Sequence, residues 1–192
     1  GGGVVGNAGA WGKQVGDVLL SARILDHQGQ EKTVDASYFQ FSYRHSKLKE
    51  STDLVLDVTF KLNPGDPITL AQERAEILLK RHEKHPNLVT HPCAGSFFRN
   101  IEATSKAEKR QAAGYFLEEA GGKNLHVGGA KIFDKHANII VKGPGCTAQD
   151  VHDLHLKMID AVKAKFGFTL NREVRFVGKF HHAEKQHPSL FW

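Results

Sequence analysis

Sulfur-containing residues are scarce in this chain, and their scarcity excludes one class of fold. The 192 residues include two cysteines, Cys93 and Cys146, and one methionine. Two cysteines cannot build the disulfide framework of a small secreted domain, so we expect a reducing compartment, the cytoplasm. Long apolar runs are also missing: none approaches the roughly 18 residues that cross a bilayer, so we expect no membrane association.

Long runs of basic residues are absent as well. The net charge is +5, but the lysines and arginines are scattered and do not interleave with aromatic residues as in RNA-binding proteins. The charge indicates an anionic partner without choosing between phosphate, nucleotide and nucleic acid. Its scattered distribution does not favour a nucleic acid.

The twelve histidines do not form a recognisable metal site. His82/His85 and His152/His155 are pairs three residues apart on predicted helices. No cysteine or carboxylate falls at a spacing that would complete a zinc-ligand set. We therefore predict no metal.

Turn-forming residues and period-two apolar patterns divide the first third of the chain. The glycine-rich residues 1–16 predict a tight loop. A strict alternation in residues 53–62 predicts a half-buried strand. Two prolines and a glycine in residues 63–67 predict a domain boundary. The remaining elements are a strand over 17–26, a turn over 27–30 and a hairpin partner over 31–34; the predicted buried face of 53–62 carries Leu54, Leu56, Val58, Phe60 and Leu62.

Three capping-box patterns each predict the start of a helix in the rest of the chain. They begin at Thr69, Ser105 and Thr147, and the predicted ends are Pro86, Gly121-Gly122 and Gly167. Residues 125–133, 138–142 and 173–179 read as strands, and the tail 181–192 has no clear period. The order of these elements predicts an α+β fold with two modules.

The segment 91–100 is the most informative stretch for function. It presents Ser96 after Gly95, then two phenylalanines, Arg99 and Asn100. Gly95 permits a positive φ or a close backbone approach to a ligand, and Ser96 offers an exchangeable proton. The phenylalanines could exclude water around Ser96. A plain loop leading into an aromatic core strand explains the same residues, because serine beside glycine is common in turns.

Five segments, taken in order, resemble motifs of the UDP-N-acetylenolpyruvoylglucosamine reductase family (UDP-N-acetylmuramate dehydrogenase). One motif would be weak, but five in order over residues 1 to about 180 are specific. They are Asn-Ala-Gly-Ala-Trp-Gly at 7–12, Tyr-Arg-His-Ser at 43–46, Ala-Gly-Ser-Phe-Phe-Arg-Asn at 94–100, Gly-Gly-Ala with Lys-His-Ala-Asn at 128–138, and Glu-Val-Arg at 173–175. Trp11 stands where that family usually has tyrosine.

The resemblance implies a fold and a domain order. Residues 1–62 would be the C-terminal half of a FAD-binding module of the PCMH/vanillyl-alcohol-oxidase type, 63–67 a linker, and 68–180 an α/β substrate-binding domain. The short stretch between Arg44 and Ser96 resembles the family's shorter type, without an added tyrosine loop. Because the chain begins with three glycines and no Met, we expect an N-terminal flavin-binding region to precede it in the whole protein, which we expect to be a monomer.

The resemblance also implies an activity. Members of that family reduce UDP-N-acetylglucosamine enolpyruvate to UDP-N-acetylmuramate with NADPH and FAD, a step of peptidoglycan synthesis. By motif match, Ser96 would donate the proton, Arg44 would polarise the enolpyruvyl carboxylate, and Glu173 would orient that carboxylate or act through a raised pKa. On residue type alone, a surface or interdomain ion pair is the better explanation of Arg44, and a solvent-facing strand end is the alternative explanation of Glu173.

Weaker matches imply the binding residues. Tyr43, Lys84 and Asn100 would bind the substrate. The FAD would contact Asn7, Ala8, Gly9, Ala10 and Arg81. The cationic end of a helix explains Arg81 and Lys84 as well. A non-catalytic nucleotide-sugar or anion-binding module is the alternative function, and it predicts a phosphate pocket near Lys84 and Asn100 without convergence of the three catalytic candidates.

Overall fold

A computed structural model describes residues 1–102 and 109–181. Contacts between Cα atoms divide the chain into two units. The described part of the first unit is Gly1–Asp66, and that of the second runs from Pro67 to residue 181. The division lies inside the segment 63–67. Within the described residues, no helix is both long and apolar enough to cross a membrane.

The first unit is built on a three-stranded antiparallel sheet whose strands, in spatial order, are Glu31–Asp35, Leu19–Leu25 and Leu54–Phe60. Its core contains Leu19, Ala22, Ile24, Phe39 and Leu48. Three 3₁₀ turns, Val15–Asp17, Ala36–Phe39 and Lys47–Lys49, connect the elements. The helix and strands are α1 (Gly2–Val5), β1 (Gly9–Ala10), β2 (Lys13–Gln14), β3 (Leu19–Leu25), β4 (Glu31–Asp35) and β5 (Leu54–Phe60).

The hairpin of β3 and β4 confirms the prediction for residues 17–34. Asp26 fixes the turn, because its carboxylate accepts the backbone N–H groups of Gln28 and Gln30, both at 2.9 Å. Lys32 forms an ion pair with the same carboxylate. The hydrogen bond from Lys32, followed by those from the backbone, lowers the pKa of Asp26 to about 2. Gly29 completes the turn with φ +75°.

The strand β5 exists as predicted, but its predicted buried face was wrong except at Val58. Leu54, Leu56 and Phe60 are 43, 46 and 43 % exposed, whereas Val55 and Val58 pack against the core. The pairing with β3 contains a register shift, in which Leu56 has no partner. This β-bulge inserts one residue, so that Val55 before it and Val58 after it face the same side although they are three residues apart.

The second unit is built on a four-stranded antiparallel sheet whose strands, in spatial order, are Cys93–Ser96, His136–Lys142, Ala130–Phe133 and His126–Val127. Two helices, Ala113–Glu119 and Ala148–Phe166, cover one face. The core between these helices and the sheet contains Leu117, Ile140, Leu154, Met158 and Val162. The elements are α2 (Pro67–Lys84), β6 (Cys93–Ser96), α3 (Ala113–Glu119), the 3₁₀ turn Gly122–Asn124, β7 (His126–Val127), β8 (Ala130–Phe133), β9 (His136–Lys142) and α4 (Ala148–Phe166).

The ends of α4 confirm the local sequence signals. The Thr147 hydroxyl accepts the N–H of Asp150 at 3.1 Å, and the Asp150 carboxylate accepts the N–H of Thr147 at 2.9 Å. This reciprocal pair is the predicted capping box. Gly167 ends the helix in the left-handed conformation, with φ +77°.

The starts of the other two predicted helices differ from the sequence expectations. Helix α2 begins at Pro67, so Thr69 lies inside it and is not its cap; proline suits the first turn because the N–H groups there have no helical partner. Helix α3 begins at Ala113. The start predicted at Ser105 lies outside the described residues.

Two predicted strands were also wrong in detail. Residues 125–133 form the hairpin of β7 and β8, because Gly128 turns the chain with φ +50°. Residues 173–179 form no strand; the residue before them, Arg172, forms a single bridge with Phe98.

Candidate active site

Ser96 is the last residue of β6 and lies opposite Ile139 of β9. Gly95 precedes it with φ +77°, and a register shift separates Cys93 from Ser96. A Cβ on Gly95 would meet nothing within 4 Å. The position therefore favours glycine because of its backbone conformation and not because of crowding, which confirms the first of the two roles considered for Gly95.

The two phenylalanines after Ser96 belong to the hydrophobic core. Phe97 and Phe98 are each 1 % exposed, and their ring centroids lie 5.3 Å apart. Phe97 also packs against Phe176, at 6.0 Å between centroids. Ser96 itself is only half-buried. The expectation of an aromatic core strand therefore holds for the rings, and the half-buried hydroxyl remains compatible with a ligand.

Ser96 and Glu173 are held on neighbouring segments although they are far apart in sequence. The carbonyl of Phe97 accepts the N–H of Glu173 at 2.9 Å, and the carbonyl of Asn171 accepts the N–H of Arg99 at 2.8 Å. Glu173 is half-buried. The second unit thus brings together two of the three predicted catalytic residues through a short antiparallel contact.

Asn138, in the Lys-His-Ala-Asn segment, is a buried residue whose role the sequence did not reveal. It is 2 % exposed. Its Oδ1 accepts the N–H of Phe98 at 2.9 Å, and its Nδ2 donates to the carbonyl of Phe98 at 2.8 Å. The backbone of Asn138 pairs with Phe97, whose N–H donates to the Asn138 carbonyl at 2.8 Å.

Asn100 lies at the start of α3. Its Oδ1 accepts the N–H of Ala113 at 3.2 Å, which satisfies one of the unpaired amides of the first helical turn. Asn100 is half-buried. Its predicted contact with the substrate remains a prediction.

Arg81 and Lys84 lie in the last turn of α2, and both are exposed. His85 follows, and its ring packs 5.5 Å from that of His136. Burial is the largest cause that lowers the pKa of both histidines. The predicted contacts of Arg81 with flavin and of Lys84 with a diphosphate remain predictions.

Tyr43 and Arg44 form the tip of a tight turn in the first unit. The backbone groups of Ser42 and His45 exchange two hydrogen bonds of 3.1 Å across it. Arg44 has φ +54°, which is uncommon for a residue other than glycine, and Lys49 Nζ donates to its carbonyl at 2.6 Å. The Arg44 guanidinium lies 5.3 Å from the centroid of the Tyr43 ring.

Asn7 ties the glycine- and alanine-rich loop to this turn. It is 1 % exposed, and its Nδ2 donates to Gln14 Oε1 and to the Ser42 carbonyl, both at 3.0 Å. Its Oδ1 accepts the N–H of Gly16 at 2.9 Å. The side chain of Asn7 thus has a structural role. Ala8 and Ala10 are exposed, and a Cβ on Gly9 would lie 2.6 Å from the carbonyl of Lys13.

A buried pair of histidines on α4 lies next to the serine segment. His152 and His155 are 5 and 3 % exposed, and both rings contact Phe176, at 5.0 Å between centroids. The His155 ring also lies 5.7 Å from Phe97. Burial, the largest cause, lowers the pKa of His155 to about 4. Among the residues described, no group of three or more histidines, cysteines or carboxylates could hold a metal ion.

A family model described as the C-terminal domain of UDP-N-acetylenolpyruvoylglucosamine reductase matches residues 85–177. The stretch contains Ser96, Asn138 and Glu173.

Full-length relatives match nearly the whole chain. The chain is 37 % identical over 179 residues to UDP-N-acetylenolpyruvoylglucosamine reductase from Streptococcus agalactiae (strain NEM316), covering 93 % of this chain and 57 % of that protein. It is 35 % identical over 191 residues to the reductase of Streptococcus pneumoniae (strain ATCC 700669), covering 100 and 58 %. The chain therefore spans less than three fifths of the length of these relatives.

A solved structure shows the same fold. The crystal structure of UDP-N-acetylenolpyruvylglucosamine reductase from Thermus caldophilus superimposes with a TM-score of 0.75 at 28 % sequence identity. The match covers 91 % of this chain and 59 % of that one.

Proposed function

We propose that this chain, which belongs to the UDP-N-acetylenolpyruvoylglucosamine reductase family, carries catalytic residues for the reduction of UDP-N-acetylglucosamine enolpyruvate to UDP-N-acetylmuramate. The observation that carries the proposal is the pairing of Phe97 with Glu173, which puts Ser96 and Glu173 on adjacent segments of one unit. The reaction would belong to peptidoglycan precursor synthesis in the bacterial cytoplasm.

The proposed cofactors are FAD and NADPH. Bound FAD, reduced by NADPH, would supply the hydride for the vinyl carbon. The loop between Asn7 and Trp11 fits such a group, because it carries nothing larger than a methyl group and exposes Ala8 and Ala10. A planar ring system can approach the backbone closely there.

Ser96 is the proposed proton donor. A serine hydroxyl is too weak an acid to protonate an ordinary base at pH 7, but hydride addition leaves an enolate-like carbon, which is strongly basic. Donation then depends on holding the hydroxyl within about 3 Å of that carbon. The position of Ser96, between the Gly95 bulge and the buried Phe97, supports this role because the backbone on both sides of the serine is constrained.

Arg44 and Glu173 are proposed to act on the enolpyruvyl carboxylate. The planar guanidinium of Arg44 suits a carboxylate in a two-pronged hydrogen bond and would stabilise the negative charge that develops there. Arg44 has a φ angle of +54°, in a turn that is closed by the two hydrogen bonds between Ser42 and His45. Glu173 would orient the other side of the carboxylate from its half-buried position.

The remaining proposed contacts are those of binding. Lys84 is proposed to pair with the diphosphate, because a lysine ammonium is a common partner of phosphate groups. Tyr43 and Asn100 would contact the substrate, and Arg81 the flavin or the substrate. Asn7 is proposed to act on the flavin site through the loop that it fixes, together with Ala8, Gly9 and Ala10.

A chimera tests the proposal. This full chain replaces the residues that it matches in the Streptococcus agalactiae reductase, so that the unmatched part of that protein is supplied. The purified chimera is mixed with FAD, NADPH and UDP-N-acetylglucosamine enolpyruvate, and NADPH oxidation is followed by absorbance. We expect oxidation that requires the substrate.

The variant Ser96→Ala in the same chimera tests the role of the hydroxyl. We expect kcat to fall by about 10² to 10⁴, the usual loss on removing a general acid, while flavin reduction by NADPH without substrate is retained. Unchanged kcat would remove Ser96 from the mechanism. Binding of the UDP-sugar with no turnover in the unsubstituted chimera would instead support the non-catalytic binding module.

A further inference from the structure

We propose that Asn138 is a positioning residue that fixes Ser96 and Glu173 for the reaction; this inference rests on the function proposed above. The side-chain amide of Asn138 forms both of its bonds with one backbone, that of Phe98, through the N–H at 2.9 Å and the carbonyl at 2.8 Å. The orientation of the amide is unambiguous, since an N–H must meet Oδ1 and a carbonyl must meet Nδ2.

The segment after Ser96 needs the side chain of Asn138 because its backbone passes from pairing with β9 to pairing with residues 171–173. The N–H of Phe97 still pairs with β9, through the carbonyl of Asn138, but its carbonyl turns to Glu173. The next residue, Phe98, forms an antiparallel bridge with Arg172. In that bridge the N–H and carbonyl of Phe98 point away from Arg172, and the amide of Asn138 meets them there.

The surroundings of Asn138 are almost closed to solvent. Asn138 and Phe98 are 2 and 1 % exposed. Helix α3 covers the site, since a Cβ on Gly114 would lie 3.8 Å from the Cβ of Asn138. A buried N–H and carbonyl without a partner are unfavourable, so the segment 96–99 would shift to find new ones.

Such a shift would act directly on the reacting groups. Ser96 precedes Phe97 by one peptide bond, and the N–H of Glu173 is bonded to the Phe97 carbonyl. A displacement of about 1 Å at a reacting group can reduce the rate about 100-fold. Asn138 therefore acts on catalysis through the two residues and touches no substrate.

The variant Asn138→Asp tests the inference in the chimera. Aspartate keeps the size and the acceptor but loses the donor, so its carboxylate faces the Phe98 carbonyl without a hydrogen atom between them. We expect kcat to fall 10- to 100-fold with little change in KM. Asn124→Asp, at an exposed position in the 3₁₀ turn Gly122–Asn124, adds the same charge elsewhere and should leave kcat unchanged.

A double substitution separates positioning from general destabilisation. If Asn138 acts through Ser96 and Glu173, the loss of kcat in Ser96→Ala with Asn138→Asp should be smaller than the product of the two single losses, because one of the two positioned groups is gone. Losses that multiply would show that Asn138 affects folding or another step, and would overturn the inference. Equal kcat in Asn138→Asp and the unsubstituted chimera would also overturn it.

Hydrogen exchange keeps this inference distinguishable from the proposed function. In Asn138→Asp we expect the amides of Phe98 and Glu173 to lose protection at least 10-fold, while those in the middle of α4 keep theirs. An unsubstituted chimera that binds FAD without turnover contradicts the proposed function and this inference together. An active chimera whose Asn138→Asp variant keeps its kcat contradicts this inference alone.

Discussion

Acid should weaken the second unit through His155 more than through any exposed histidine. The imidazole is 3 % exposed on α4, and its Nδ1 is hydrogen-bonded to the His152 carbonyl. Its ring contacts Phe97 and Phe176. Burial among these groups, with a smaller effect of the positive charge of Arg172, lowers the pKa of His155 to about 4.

The direction of this pH effect follows from the protonation of His155 in the folded and in the unfolded chain. Above pH 6.5, the ordinary value, His155 is neutral in both the folded and the unfolded chain. Between about 6.5 and about 4, the unfolded chain takes up a proton that the folded chain does not, so stability falls as the pH falls. At about 1.4 kcal/mol per pH unit, the full loss is about 3 kcal/mol, and solvent screening reduces it to about 2 kcal/mol.

Urea unfolding followed by circular dichroism measures this loss. The full chain and its His155→Phe variant are compared at about pH 7 and about pH 4.5, where carboxylates change equally in both proteins. We expect the free energy of unfolding of the variant to gain about 1 to 2 kcal/mol relative to the parent on acidification. His27→Gln, in the exposed turn after β3, is the matched control. Parallel pH curves for parent and His155→Phe would refute the buried, neutral imidazole.

Three further substitutions probe the backbone and the side-chain hydrogen bonds around the motifs. Gly128→Ala should destabilise the chain by about 2 kcal/mol or more in urea unfolding, because its Cβ would lie 2.5 Å from the Asp150 carboxylate at φ +50°; Gly145→Ala, at φ +68° with open space around it, should lose only about 1 kcal/mol. Asn7→Leu should destabilise the chain by about 2 kcal/mol in urea unfolding, because it leaves the Ser42 carbonyl and the Gly16 N–H without their hydrogen bonds to Asn7. Unchanged stability would contradict these hydrogen bonds.

Local signals in the sequence predicted those parts of the fold that depend on neighbouring residues. The capping box at Thr147 and the stop at Gly167 lie within a few residues of the groups that they satisfy, so α4 could be placed well. At Thr69 an equally good capping pattern did not start the helix. The helix begins instead at Pro67, where proline leaves fewer N–H groups without a partner. Two local signals in competition could not be ranked from the sequence.

The face of β5 could not be predicted for a different reason. Its apolar residues alternate strictly, which favours one buried face. The bulge at Leu56 arises in the pairing with β3, and the sequence of β5 carries no mark of it. Register is a property of two strands, so a single-strand pattern predicts the strand and not the side on which its residues lie.

The candidate site shows the same limit at the level of single side chains. Ser96 and Glu173 could be singled out from motifs, and Gly95 from its need for a positive φ. Asn138 could not, because its partner is the backbone of Phe98, 40 residues away, and any residue type can offer a backbone N–H and carbonyl. What the sequence does show is that asparagine carries both a donor group and an acceptor group on a short side chain. Aspartate has the same size but lacks the donor group, and leucine lacks both groups. The residue type therefore determines which hydrogen bonds the side chain can form, and the fold determines which backbone groups it meets.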